Sequence, residues 1–286
     1  RQLEELLGDV APQVRAHAMI DLTFVSVLLD AGAGPEWKYV DPHDGATYTR
    51  SEGLAVASFH AFTSGMFSSD KLRPLQADAQ GLRSVVTDRL ARAFQVRESN
   101  PLVGLDNRAV LLRRLGEAMV EQPEVFSEAA RPSGMCDLLM GDEGGITPTA
   151  ELETHDLLSQ LLVSLSGIWP MGNSMGGVPL GDVWRHPAVR GDGPSDGWVP
   201  FHKLSQWLTY SLLEPFHWAG VKVRGIDKLT GLPEYRNGGL LLDAGVLVLR
   251  EPDAAHQTWH PGDAIIVEWR ALTVALLDEM AGFVRR

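Results

Sequence analysis

The chain has 286 residues, 44% apolar and 22% charged, which is enough for a sizeable core and too apolar for a disordered segment. Its 25 Lys and Arg against 37 Asp and Glu leave a formal net charge of −12, which argues against nucleic acid or an anionic membrane as a partner. A single cysteine, Cys136, excludes an internal disulfide framework and a thiolate metal cluster, and makes a reducing, cytoplasmic location the expectation.

The opening RQLEELLGDV reads as a charged helical pattern, so a targeting segment is not expected there, and no later apolar stretch reaches the roughly 20 uncharged residues of a membrane span. Apolar residues recur mostly at helical spacing. A buried helix is expected over 13–30, started by Pro12 and ended by the AGAGP of 31–35. YVDPHDGATY (39–48) reads as a short hairpin whose turn residues are Asp44 and Gly45. Ser51 is expected to cap a helix to about Gly65. Helices at about 79–97 and 106–121 follow, the second capped by Asp106, and Thr147 and Pro148 open another over about 148–168. The glycine- and proline-rich stretch 170–199 reads as an ordered loop or lid. A helix over 200–216 comes next, then strands at 220–224 and 245–249 around a long turn, and a terminal helix from Asp263 to about Phe283. The class is mainly α, one helical domain over 1–286 with small β-hairpins.

Four places carry residues that solvation alone does not explain. In the terminal helix, Glu268 lies three after Ile265 and four before Leu272, so it is expected on the apolar stripe, where a lone carboxylate costs several kcal/mol. It is either one half of a structural ion pair or a pocket carboxylate. Asp21, among Ile20, Phe24, Val25 and Leu28, poses the same alternatives, and Asp30 at the helix end is either a ligand contact or a turn stabiliser. In the 200–216 helix, Phe201, Leu204, Leu208 and Leu212 face inward, while Lys203, Gln206, Tyr210 and Glu214 form a hydrogen-bonding stripe that resembles a pocket wall. In LTGLPEYRNGGLLLDAGVL (229–247), Glu234, Tyr235, Arg236 and Asn237 crowd between Gly231, Pro233, Gly238 and Gly239, either in a surface turn or in a catalytic loop led by Glu234. Other templates fail. GNSMGG (172–177) lacks the Lys-Ser/Thr of a phosphate loop, His256 and His260 lack a neighbouring HExxH glutamate, and no G-x-S-x-G occurs. Cys136 reads as a small core residue, and no metal or redox cofactor is expected.

DLTFVSVLLDAGAGPEWKY, RSEGLAVASFHAF, NPLVGL, VPFHKLSQWLTYSL, LTGLPEYRNGGLLLD and IIVEWRALTVALLDEM together resemble the uracil-catabolism Urc/Urg family over nearly the whole chain. A more distant similarity links the chain to queuosine-salvage N-ribosyl hydrolases. Their F-Y-K-R-A-Q helix is similar to Phe201-His202-Lys203-Leu204-Ser205-Gln206, their D-Y-R-x-P-Q loop to Glu234-Tyr235-Arg236-Asn237-Gly238-Gly239, and their E-x-R-A helix to Glu268-Trp269-Arg270-Ala271. Here Glu replaces the family's catalytic Asp, and Gly-Gly replaces Pro-Gln. The resemblance implies a DNA-glycosylase-like helical fold of the helix-hairpin-helix type. It implies an N-glycosidase of uracil degradation that releases urea from a ribosylurea or its 5′-phosphate. Glu234, Lys203 and Glu268 are then the candidate catalytic residues, with Tyr235, Arg236, Arg270, Gln206, His202, Asp21, Asp30 and Tyr210 as substrate contacts. The alternatives are a non-catalytic ligand-binding protein or another hydrolytic step of the same pathway. The expected partner is a small ribosyl or phosphoribosyl molecule; oligomeric state is not legible.

Overall fold

The computed structural model describes residues 2–141, 146, 150–170 and 173–286. Thr147 and Pro148, expected to open a helix, and Gly172 of the GNSMGG stretch lie outside these residues. Helix accounts for 54% of the structure, and the sheets are two-stranded. The chain divides into two compact units, Arg1–Pro170 with Trp207–Ile226, and Met171–Gln206 with Asp227–Arg286. Of the stretch 170–199, expected as an ordered loop or lid, all but Pro170 is grouped with the C-terminal helices.

In the first unit, α1 (Gln2–Leu7) and α2 (Pro12–Leu29) precede a hairpin of β1 (Lys38–Val40) and β2 (Thr47–Thr49), paired Tyr39 to Tyr48. In its turn Gly45 is left-handed at φ 73°; Asp44 accepts from the Ala46 amide at 2.8 Å. Helix α3 (Arg50–Thr63) starts one residue before Ser51, with Thr49 at its N-cap. The helix expected over 79–97 is two, α4 (Ala79–Arg83) and α5 (Thr87–Ala93). The Ser84 hydroxyl returns to the Gly81 carbonyl at 2.7 Å, and β-branched Val85 and Val86 follow, a combination that stops the first helix. Helix α6 (Leu105–Glu121) is entered through left-handed Gly104, φ 73°, while Asp106 sits in its first turn and accepts from the Thr87 hydroxyl at 2.8 Å. Then come α7 (Pro123–Phe126), α8 (Pro132–Leu139), β3 (Glu151–Glu153) and α9 (Thr154–Ser164). Phe24, Phe62, Phe67, Phe94, Phe126 and Trp37 are fully buried here.

Two buried charges tie this core together. Asp21, in the middle of α2, accepts from the Ala77 and Ser133 amides at 3.1 and 3.0 Å and from Arg131 Nε at 2.9 Å. Burial raises its pKa, against the pull of Arg131 and the two amides. Arg108 of α6 closes the C-terminal end of α2, where carbonyls lack helical donors. It donates to the Leu29 and Ala31 carbonyls at 2.9 and 2.8 Å, and to the carbonyl of Val103. Burial lowers its pKa to about 10, against the charge of Asp30. The abrupt stop of the helix at AGAGP is thus held by a cation reaching across from a residue 79 positions away.

In the second unit, β4 (Ser174–Met175) and β5 (Val178–Pro179) form one hairpin, and β6 (Val183–Arg185) and β7 (Trp198–Pro200) another. Helix α10 (Lys203–Trp218) leaves this unit and contributes its residues from Trp207 onward to the first, followed there by β8 (Lys222–Arg224), which pairs in parallel with β3. The second unit is completed by α11 (Tyr235–Asp243) and α12 (Ala264–Val284). The strand expected at 245–249 is not present, and half of the expected long turn is α11 instead. Gly238 explains the difference. A Cβ there would lie 2.7 Å from the Trp269 ring and 2.8 Å from Thr273 Oγ1, so this glycine permits α11 to approach α12 rather than ending a helix.

Candidate functional site

The β6–β7 hairpin builds the site. Val183 is registered with Pro200, so the residue before β6, Asp182, comes beside the residues after β7, Phe201 to Lys203. The Asp182 carbonyl accepts from the Phe201 and His202 amides at 2.9 and 3.1 Å, and its Oδ2 accepts from the Lys203 amide at 3.1 Å. A carboxylate thus sits on the N-terminus of α10, where free amides and the helix dipole favour negative charge. His202 bends the chain into the helix with φ 46°, a left-handed conformation that non-glycine residues seldom adopt.

Asp182 also anchors α12. Arg270 Nη1 and Nη2 donate to its two oxygens at 2.8 and 2.7 Å, and Trp184 Nε1 donates to Oδ1 at 2.7 Å. Burial alone would raise the pKa of Asp182, but Arg270, Trp184 and the Lys203 amide outweigh it and hold the carboxyl below its ordinary value. The buried Arg270 guanidinium lies 4.1 Å from the Phe201 ring centroid and 5.8 Å from that of Tyr235. Tyr235 leans on Trp269, with ring centroids 5.5 Å apart. Burial raises the Tyr235 phenol pKa, opposed by the charge of Arg270.

A second ion pair lies nearer to solvent. Lys203 Nζ meets Glu234 Oε2, with side-chain exposures of 26% and 30%. Glu234 is the N-cap residue of α11, in extended conformation, and its carboxylate makes no cap hydrogen bond; it points to Lys203 instead. Gln206 is held at both ends of its amide, donating to the Phe201 carbonyl and accepting from the Thr230 hydroxyl, each at 2.9 Å. Burial lowers the His202 pKa against the pull of Asp182, which favours the neutral imidazole.

Lys203, Glu234, Tyr235, Arg270, Gln206 and His202 therefore occupy one unit and share partners. Arg236 belongs to the same unit but is exposed. Glu268 departs from expectation: it is exposed, with Arg250 3.9 Å away. The inward residues of α12 are Val267, Arg270 and Thr273, so the face that carries Glu268 is turned away from the core. Asp21, Asp30 and Tyr210 belong to the first unit. Both oxygens of Asp21 are engaged by protein donors, the structural alternative for that residue. Asp182 was not anticipated, nor were Trp184 and Thr230. The one signal was an aspartate set between Leu180, Val183 and Trp184 in an otherwise turn-like stretch. Among the described residues no group of three or more His, Cys, Asp or Glu is arranged to hold a metal ion. None of their helices is long and apolar enough to cross a membrane.

A family model described as a protein of unknown function, DUF1688, matches residues 1–286. The chain belongs to this family. Among curated relatives, "Protein urg3" of Schizosaccharomyces pombe is 46% identical over 272 residues, covering 93% of this chain and 62% of the relative. "Uracil catabolism protein 4" of Lachancea kluyveri is 39% identical over 296 residues, covering 95% of this chain and 67% of the relative. The chain thus spans about two thirds of the length of either relative. Both agree with the Urc/Urg resemblance of the sequence.

Proposed function

We propose that the chain acts in uracil degradation as a hydrolase that cleaves the N-ribosidic bond of ribosylurea or its 5′-phosphate. The observation that carries this reading is the Lys203–Glu234 ion pair at the edge of the Asp182–Arg270 anchor. The pair joins two of the segments with a counterpart in N-ribosyl hydrolases, and Arg270 of the third lies over the Phe201 and Tyr235 rings of those two. The name of the Lachancea relative supports the pathway, and the mainly helical fold is compatible with a DNA-glycosylase-like architecture.

In this mechanism the C1′–N bond breaks and positive charge develops on the ribose. The Glu234 carboxylate stabilises that charge and takes a proton from the water whose oxygen bonds to C1′. Lys203 gives a proton to the departing urea nitrogen. Glu234 then returns its proton to Lys203 across their ion pair, which restores both groups. Tyr235 and Gln206 contact the sugar or the ureido group, and Arg270, whose fork is filled by Asp182, holds the Phe201 and Tyr235 rings in place.

Incubating the protein with ribosylurea and with its 5′-phosphate, and assaying urea, tests the proposal. Wild type should turn over one of them, and Glu234→Gln should reduce the rate by at least ~10²-fold. Binding of both compounds without turnover would assign the site to a non-catalytic ligand-binding protein. An unchanged rate in Glu234→Gln would remove that carboxylate from the chemistry.

A further inference from the structure

The first unit contains a cavity of about 670 Å³ that has no part in the hydrolytic reading, and a ligand bound there would be independent of it. The volume lies within the usual range for small-molecule sites. Its walls come from α1, α2, α3 and the part of α10 after Gln206, and three of the lining residues are aromatic: Phe59, Trp207 and Trp218. Two carboxylates, Asp30 and Glu214, also line it, and none of its lining residues is Lys, Arg or His. Arg108, bound to the carbonyls at the end of α2, interacts electrostatically with Asp30. Glu214 has no ion-pair partner among the described residues and is exposed.

A third acceptor arises from the covalent structure of α10. Pro215 lies inside the helix and has no N–H to give to the carbonyl four residues back, that of Ser211. Both residues line the cavity and lie on the same face of the helix. Trp218, one turn after Glu214, keeps 58% of its surface exposed.

An anion is disfavoured by the Glu214 carboxylate in a wall without a base, and a purely apolar ligand would leave that carboxylate without a partner. A cation with a flat or methylated body satisfies both, with its charge against Glu214 and its body over the indoles. We propose that this cavity binds a small organic cation of the amidinium, guanidinium or alkylammonium class.

Benzamidine, its neutral isostere benzamide and the anion benzoate separate charge from shape. Calorimetric titration should show saturable one-to-one binding of benzamidine, binding of benzamide weaker by at least ~10-fold, and none of benzoate. Glu214→Gln and Trp218→Ala should each weaken benzamidine by at least ~5-fold with unchanged far-ultraviolet circular dichroism, because both side chains are exposed. Equal binding of benzamide and benzamidine, an unchanged affinity in both variants, or absence of saturation would overturn the assignment. Urea release does not enter this measurement, so failure here leaves the hydrolytic reading standing, and the converse also holds.

Discussion

Replacing Asp182 by alanine removes the acceptor for four donors at once: two from Arg270, one from Trp184 and the Lys203 amide. Truncating one member of a buried pair costs about 3–5 kcal/mol, because the other charge is left without a partner. Arg270 is buried, but the Asp182 side chain keeps 21% exposure, so solvent recovers part of the loss. The expected destabilisation is therefore near the low end, about 3 kcal/mol, and Asp182→Asn should cost less because it keeps an acceptor for Trp184 or the amide. Urea unfolding followed by far-ultraviolet circular dichroism reads the difference as a shift in midpoint at constant slope. The pH dependence has a fixed sign. The folded-state pKa of Asp182 is depressed, so its contribution is complete above the ordinary aspartate range and disappears as pH falls through the folded value. The stability gap between wild type and Asp182→Asn should hold steady above about pH 5 and close on acidification below about pH 4. A loss under about 1 kcal/mol in Asp182→Ala, or a gap that widens on acidification, would refute the anchoring role.

Adjacent glycines of α11 should respond with opposite signs. Gly238→Ala pushes a methyl group into the Trp269 ring and Thr273 and should destabilise by about 1–3 kcal/mol, whereas the space around the Cβ position of Gly239 is open, and Gly239→Ala should stabilise by about 0.5–1 kcal/mol in thermal or urea unfolding. Arg108→Met should cost about 2–4 kcal/mol, because the carbonyls of Leu29, Ala31 and Val103 lose their donor; hydrogen exchange should show the loss first in the last turn of α2.

Helix α2 was legible because Pro12 and the AGAGP segment bracket an apolar run, and the inner face of α10 because Leu208 and Leu212 keep helical spacing; Phe201 is buried but precedes the helix, and Leu204 is only half-buried. Glu268 was misplaced because α12 is apolar nearly all round. Ile265 and Leu272 suggest one buried stripe and Val267 and Thr273 another, and the packing of α11 through Gly238 selects the second. The same glycine hid α11, since in sequence Gly238-Gly239 reads as a chain breaker, whereas in space Gly238 marks a close approach. Lys203, Glu234, Tyr235 and Arg270 were legible through their motifs. Asp182 was not, because its role comes from hairpin register: the β6–β7 pairing brings it to the start of α10, and α12 delivers Arg270 from 88 residues away.

The central claim is that water cleaves a C1′–N bond under Glu234. Product analysis by nuclear magnetic resonance tests it most directly, with wild-type protein and whichever of ribosylurea or its 5′-phosphate is consumed. The account predicts urea and the free sugar in a one-to-one ratio, formed without added phosphate or metal. Ammonia or carbamate with the sugar still attached to nitrogen would instead mean attack at the ureido carbonyl, and would contradict the account.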